Sequence, residues 1–315
     1  MNRTLFSLAM LLVLQTAVLA RTEAKITVGR NPDFVAVNSA TNTIYSSNSS
    51  EGTVSVVDGA TNTRTATIPL AGYPQGIAAN SATDQVYVAL FNGFSSNVAV
   101  IDGITNTVVT SIQVPWAVYV AVDAATNRIY TSDADNTVRV IDGGSNSVIA
   151  TISFNAVLEE LAVDATRNLI YVAVAGIPPS IGVIDGTTNA VVNTFTLSTA
   201  KTLAGLTVDP LLNQIYASDN LRLEVFIING ATGSITVTVG LPGARNPKYA
   251  VLGTGHQVVI SDSATGRVFF INGATRTLSG SVSLPYGPWG MAVNPLTGNI
   301  YVALALGTDL VVIAP

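Results

Sequence analysis

Val86-Tyr87-Val88-Ala89, then Val98-Ala99-Val100-Ile101, then Asp102-Gly103-Ile104-Thr105-Asn106-Thr107, decides the fold. Two short apolar runs flank a polar link, and the second ends in a turn signal. An Asp side chain can accept turn N–H groups, and a Gly after it suggests a residue with positive φ. Outward from this stretch lie Gly76-Ile77-Ala78-Ala79 before it and Val108-Val109-Thr110-Ser111-Ile112 after it. Together they make four short strands joined by hairpin links.

The unit repeats. An apolar residue followed by Tyr recurs at Ile44-Tyr45, Val86-Tyr87, Ile129-Tyr130, Ile170-Tyr171, Ile215-Tyr216 and Ile300-Tyr301, with Val258-Val259 in the remaining place. The intervals are 42, 43, 41, 45, 43 and 42 residues. A second marker keeps step, 12 to 15 residues after each first one: Asp58-Gly59, Asp102-Gly103, Asp142-Gly143, Asp185-Gly186, Asn229-Gly230 and Asn272-Gly273. Four strands in about 42 residues is the period of a propeller blade. The expected fold is all-β, a seven-bladed β-propeller with four antiparallel strands per blade. The first three strands of each unit read as buried on both faces. The fourth alternates with Thr, as in Thr65-Ala66-Thr67-Ile68, and suits the outer rim.

The two ends predict how the ring closes. After Tyr301 the chain holds only Leu310-Val311-Val312-Ile313 before Pro315, so the last unit lacks its fourth strand. Lys25-Ile26-Thr27-Val28 precedes the first unit, and Ile26 lies 19 residues before Tyr45, as Ile68 lies 19 before Tyr87. This N-terminal segment is expected to complete the last blade and remove two open sheet edges.

Residues 1–20 differ from the rest. Arg3 is followed by an apolar run from Leu5 to Ala20 that ends in Val18-Leu19-Ala20, the pattern of a secretory signal peptide cut after Ala20. The expected organisation is a signal peptide, 1–20, and one propeller domain, 21–315, secreted to the periplasm or the extracellular space. No later stretch approaches the ~20 apolar residues of a membrane span. The net charge of −5 becomes −6 once Arg3 is removed, which disfavours a phosphate backbone as partner. With no Cys, thiol catalysis, disulfides and Cys-ligated metals are excluded.

The unit Ile-Tyr-x-x-Asn/Asp followed by Val-x-Val-Ile-Asp-Gly-x-Thr-Asn resembles the YVTN-repeat propellers of bacterial periplasmic and archaeal surface-layer proteins. The resemblance is carried by Tyr45 to Asn48, Tyr130 to Asp133, Asp58 to Thr63 and Asp102 to Thr107, and extends over about residues 24–315. No unit reads Tyr-Val-Thr-Asn literally, and the sixth has lost both the Tyr and the Thr-Asn turn. The resemblance implies the fold and export. Members differ in role, some looking like lactonases and others like binding or cell-surface modules.

Candidate site residues gather in the loops that enter the innermost strands at one mouth of the channel. They are Trp116, Trp289, Tyr73, Tyr286, Glu159, Glu160, Lys201, Arg245 and Lys248. Aromatic faces would stack on a ligand, and the cations would hold a carboxylate or phosphate. The expected role is a monomeric binding module for a small molecule, polysaccharide or protein, with no cofactor. The alternative is a lactonase-type hydrolase using Glu159 or Glu160 with Arg245 or Lys248. Adjacent residues of a strand point to opposite faces, so at most one of the two glutamates is expected to enter the mouth. The sole histidine, His256, is expected at the surface of the opposite face, which argues against a Ser-His-Asp triad or a multi-histidine metal site. Asp133-Ala134-Asp135-Asn136 begins like a calcium loop but lacks its Gly and Glu, and a capped turn is expected there. Gly253-Thr254-Gly255 lacks the third Gly of a dinucleotide site. No catalytic or metal-binding constellation stands out.

Overall fold

The two markers recur in phase because they touch across blades. In a computed structural model describing residues 23–92, 95–285 and 287–315, the repeat tyrosines are fully buried between blades. Tyr301 of blade seven donates its hydroxyl to Asn62 Oδ1 in the outer turn of blade one at 2.8 Å. A methyl group on Gly103 of blade two would come within 2.9 Å of Tyr45 Oη from blade one. Tyr45 therefore needs a small residue in the next unit's turn, and Tyr216 likewise sits against Gly273.

The turn chemistry is half as expected. Asp58 Oδ1 accepts the N–H groups of Ala60 and Thr61 at 2.8 and 2.9 Å, and Asp102 does the same for Ile104 and Thr105. The glycine is not the residue with positive φ. That conformation falls on the asparagine four residues after the aspartate, with φ between 51° and 55° at Asn62, Asn106, Asn146 and Asn189. The glycine answers a close approach instead: a Cβ at Gly59 would lie 2.5 Å from Asn42 Oδ1.

Seven four-stranded antiparallel sheets result. Blade one runs Pro32–Asn38, Thr43–Asn48, Thr53–Asp58 and Thr63–Pro69 from axis to rim. The innermost strands of blades two to six are Tyr73–Asn80, Ala117–Asp123, Leu158–Asp164, Leu206–Asp209 and Pro247–Leu252. Blade seven holds Pro288–Val293, Ile300–Leu304 and Asp309–Ile313, with Glu23–Thr27 as its outer strand. Ile26 pairs with Leu310 and Lys25 with Val311, so the N-terminal strand closes the ring. The core divides into clusters that each bridge two neighbouring blades, as where Tyr45 and Ile68 of blade one meet Ile77 and Val88 of blade two. Rim strands such as Thr63–Pro69 bury little beyond one apolar residue.

On the face of the strand one-to-two turns, blades are tied edge to edge. Asn38 Nδ2 donates to Asp84 Oδ1, Asn80 Nδ2 to Asn127 Oδ1, and Asn294 Nδ2 to Asn42 Oδ1, at 2.5, 2.7 and 2.5 Å. His256 takes part in this set, its Nδ1 lying 2.7 Å from Asp209 Oδ2 of blade five. It is therefore a half-buried blade-to-blade contact rather than a plain surface residue. No helix among the described residues is long and apolar enough to cross a membrane.

Candidate functional site

Six innermost strands carry an irregularity near their axial end, as between Pro32 and Phe34, Leu158 and Leu161, and Pro247 and Ala250. Such a bulge breaks the simple alternation of faces. The residues nearest the axis, one from each blade, are Phe34, Gly76, Tyr119, Glu160, Gly205, Tyr249 and Gly290. The rings of Phe34, Tyr119 and Tyr249 belong to blades one, three and six, which do not neighbour one another. Their centroids nevertheless lie 5.8, 5.1 and 6.4 Å apart, so they meet across the channel and plug it. The glycines make room. A Cβ on Gly76 would lie 2.6 Å from Val118 O, and one on Gly290 2.6 Å from Asp33 O.

Polar groups are threaded through the plug. Tyr119 donates its hydroxyl to Glu159 Oε2 at 3.2 Å, beside the ring of Tyr249. Glu160 Oε2 accepts the Leu206 and Ala250 backbone N–H groups at 2.8 and 3.3 Å. These amides lie on the inner edges of blades five and six. Both glutamates thus reach the axis, against the expectation that at most one would, and the bulge between Leu158 and Leu161 is the reason. Lys248 Nζ lies 4.4 Å from the Trp289 ring centroid and 5.3 Å from that of Tyr249, in cation–π contact with both.

Burial pushes the Glu160 carboxyl up to about 8, with the two amide donors opposing the rise, Glu159 adding to it and Lys248 opposing it. Burial also raises Glu159, against Lys248 and the Tyr119 hydroxyl. Asp33 is raised for the same reason, held back by Ser49 and Lys248. Both tyrosines are pushed up by burial, with neighbouring glutamates adding to the shift.

Of the expected site residues, Glu159, Glu160, Lys248 and Trp289 converge on the axis. The others lie on the surrounding face. Trp116 packs against Phe91 of blade two with centroids 6.1 Å apart. Tyr73 is 62% exposed. Lys201 and Arg245 are exposed, their backbone N–H groups held by Asp219 and Asp262 at 2.7 Å. Tyr286 lies outside the described residues. Asp133 and Asp135 both grip Arg139, at 2.6 and 2.8 Å, so they form a capped, ion-paired turn.

The sequence reading missed Phe34, Tyr119 and Tyr249. A signal was present: Phe34, Gly76, Tyr119, Glu160, Gly205 and Gly290 each stand eleven residues before the tyrosine of their unit. Tyr249 stands ten before Val259, the residue in the tyrosine's place.

No family model and no curated protein matches this chain. Among solved structures, Kuenenia stuttgartiensis hydrazine synthase superposes with a TM-score of 0.81, at 17% identity over 90% of this chain and 96% of that one. The WD40 β-propeller domain of Doa1 superposes with a TM-score of 0.76, at 14% identity over 92% of this chain and 95% of that one. At these identities the likeness extends to the fold alone, and the chain is a seven-bladed β-propeller.

Proposed function

We propose that this chain is an exported, monomeric propeller of the YVTN-repeat type that works as a binding module. Its contact surface would be the face carrying the loops that enter the innermost strands and those linking strands two and three. The observation that carries this is the difference between the two faces. On the proposed face Tyr73, Phe91, Val157 and Ile177 are exposed on blades two to four, beside Trp116. Lys201 and Arg245 stand exposed on blades five and six, with no ion pair among the described residues. The opposite face spends its Asn and Asp side chains on blade-to-blade contacts. Its exposed Ile104, Leu211 and Leu296 lie singly on separate turns.

Because three rings close the axis, this face offers a broad surface rather than a deep pocket. It suits a polysaccharide chain or a protein better than a small molecule. The lactonase alternative gains less from the geometry. Glu160 already holds two backbone amides, and Arg245 stands on the exposed rim.

The test is a thermal-shift screen of residues 21–315 against soluble cell-wall glycans and envelope peptides, with Trp116→Ala, Tyr73→Ala and Trp289→Ala. A partner should stabilise the parent and lose its effect in the Trp116 and Tyr73 variants. A partner that stabilises those two variants as much as the parent would remove this face from the account.

A further inference from the structure

Beyond the aromatic plug the channel opens into a cavity of about 400 Å³. Its walls include the half-buried Val120, Val163, Val251, Leu252 and Met291. Pro210, in a strand one-to-two turn, lines its far end, so it faces the side opposite the surface proposed above. At the plugged end stand Phe34, Tyr119 and Glu160. No Lys, Arg or His lines this space.

Packing explains only one oxygen of Glu160. Two amides occupy its Oε2, whereas its Oε1 has no protein hydrogen-bond partner among the described residues. Lys248, the cation whose charge it feels, is stacked on Trp289 and Tyr249 and forms no ion pair with it. Glu160 is half-buried, and a partly desolvated carboxylate with no counter-charge beside it is costly to ionise, a charge that a ligand can supply. Aromatic rings with negatively polarised faces stand at the same end. The volume lies within the range of small-ligand sites.

We propose that this cavity binds a small organic cation, a primary or quaternary amine with a short apolar body. Its charge meets Glu160 and the rings of Phe34 and Tyr119, and its alkyl part lies against the valine and leucine walls. Binding requires Glu160 ionised, so below about 8 the cation displaces a proton from it. The ionisable groups that interact with this carboxyl are Glu159 on its own strand, Lys248 and Tyr249 from blade six and Tyr119 from blade three. Asp209 of blade five lies toward the far end. The tyrosines, pushed upward by burial, stay neutral over this range.

Calorimetric titration of residues 21–315 with n-butylammonium and tetramethylammonium chloride, and with n-butanol as the uncharged probe, tests the assignment. Ammonium affinity should rise about tenfold per pH unit from pH 6 to 8 and then level off, with about one proton released at pH 6. Glu160→Gln keeps an acceptor for the two amides. It should weaken ammonium binding about tenfold or more and abolish the pH dependence. Leu252→Trp should block binding by filling the cavity, and decides the matter if the Gln variant does not fold. Trp116→Ala should leave the titration unchanged, which separates this site from the face proposed above. The proposal is overturned if neither ammonium ion gives a saturable signal at pH 8.5. Equal affinity in Glu160→Gln, or butanol binding as tightly as butylammonium, overturns it as well.

Discussion

Removing residues 21–28 should cost this propeller a large share of its stability. The strand Glu23–Thr27 pairs over five positions with Asp309–Ile313, and Val28 N donates to Thr308 O at 2.8 Å. Ile26 and Val28 are each 4% exposed and pack with Val35, Ile44, Leu310 and Val312 across the seam between blades seven and one. Arg64 of blade one also donates to Val28 O at 2.9 Å. Re-exposing two such aliphatic side chains costs about 1.5–3 kcal/mol each, or roughly 3–6 kcal/mol together. Whole domains are stable by only about 5–15 kcal/mol. At about 2 °C per kcal/mol for a chain of this size, the melting temperature should fall by roughly 6–12 °C. The exposed edge should also promote aggregation. Circular dichroism melts of residues 21–315 and 29–315 measure the difference. A synthetic peptide of residues 21–29 added to the shorter chain should restore the transition in proportion to its concentration. Equal melting temperatures, or a scrambled peptide acting as well, would refute the closure argument.

The other expectations concern single residues. The folded chain holds the Glu160 proton to about 8 against an ordinary value of 4.5, so more protons are bound folded than unfolded between these limits. Stability should therefore fall as pH rises through that window, by at most about 1.4 kcal/mol per unit, and Glu160→Gln should lack this fall. Denaturant titrations at several pH values that give the two proteins the same slope would contradict it. Tyr301→Phe loses the bond to Asn62 and should cost about 1 kcal/mol, whereas Tyr45→Phe, whose hydroxyl has no partner among the described residues, should be neutral or stabilising. Gly59→Ala meets Asn42 and should destabilise by about 1–3 kcal/mol, whereas Gly240→Ala, with nothing within 4 Å, should not. The opposite order in either pair would count against the turn assignments. On the proposed export, N-terminal sequencing of the mature protein should begin at Arg21, and a start elsewhere would displace the cleavage site.

The scaffold was legible because its demands recur. Every blade needs a buried side chain at its seam and a tight outer turn, so Tyr45 and Asp102-Gly103 and most of their counterparts appear in step. Closure was legible because a propeller with three strands in its last blade needs a fourth, and Ile26 stood at the right distance from Tyr45. The role of the turn glycines was misread, since a close approach between Gly59 and Asn42 leaves no mark distinct from a positive φ. The axial bulges were hidden as well. They arise from seven strands converging on one axis, which no single unit expresses, and they carry both Glu159 and Glu160 inward.

In a repeat protein the informative residue is one that departs from its column. The scaffold asks the same of every blade, and a constant residue answers it. At the axial position the chain holds Phe34, Gly76, Tyr119, Glu160, Gly205, Tyr249 and Gly290. Most of that variation follows from packing, because seven large side chains do not fit around one axis at interior density. Three rings fill the space and three glycines let neighbouring backbones close in. Glu160 does neither, but ties the inner edges of blades five and six through two backbone amides. Its Oε2 serves the scaffold by accepting the Leu206 and Ala250 amides, which an aliphatic residue would leave unpaired, but a neutral amide side chain could accept them as well. The scaffold therefore accounts for one oxygen and not for the acidity, and the cavity that Glu160 lines is where the use of its charge is to be sought.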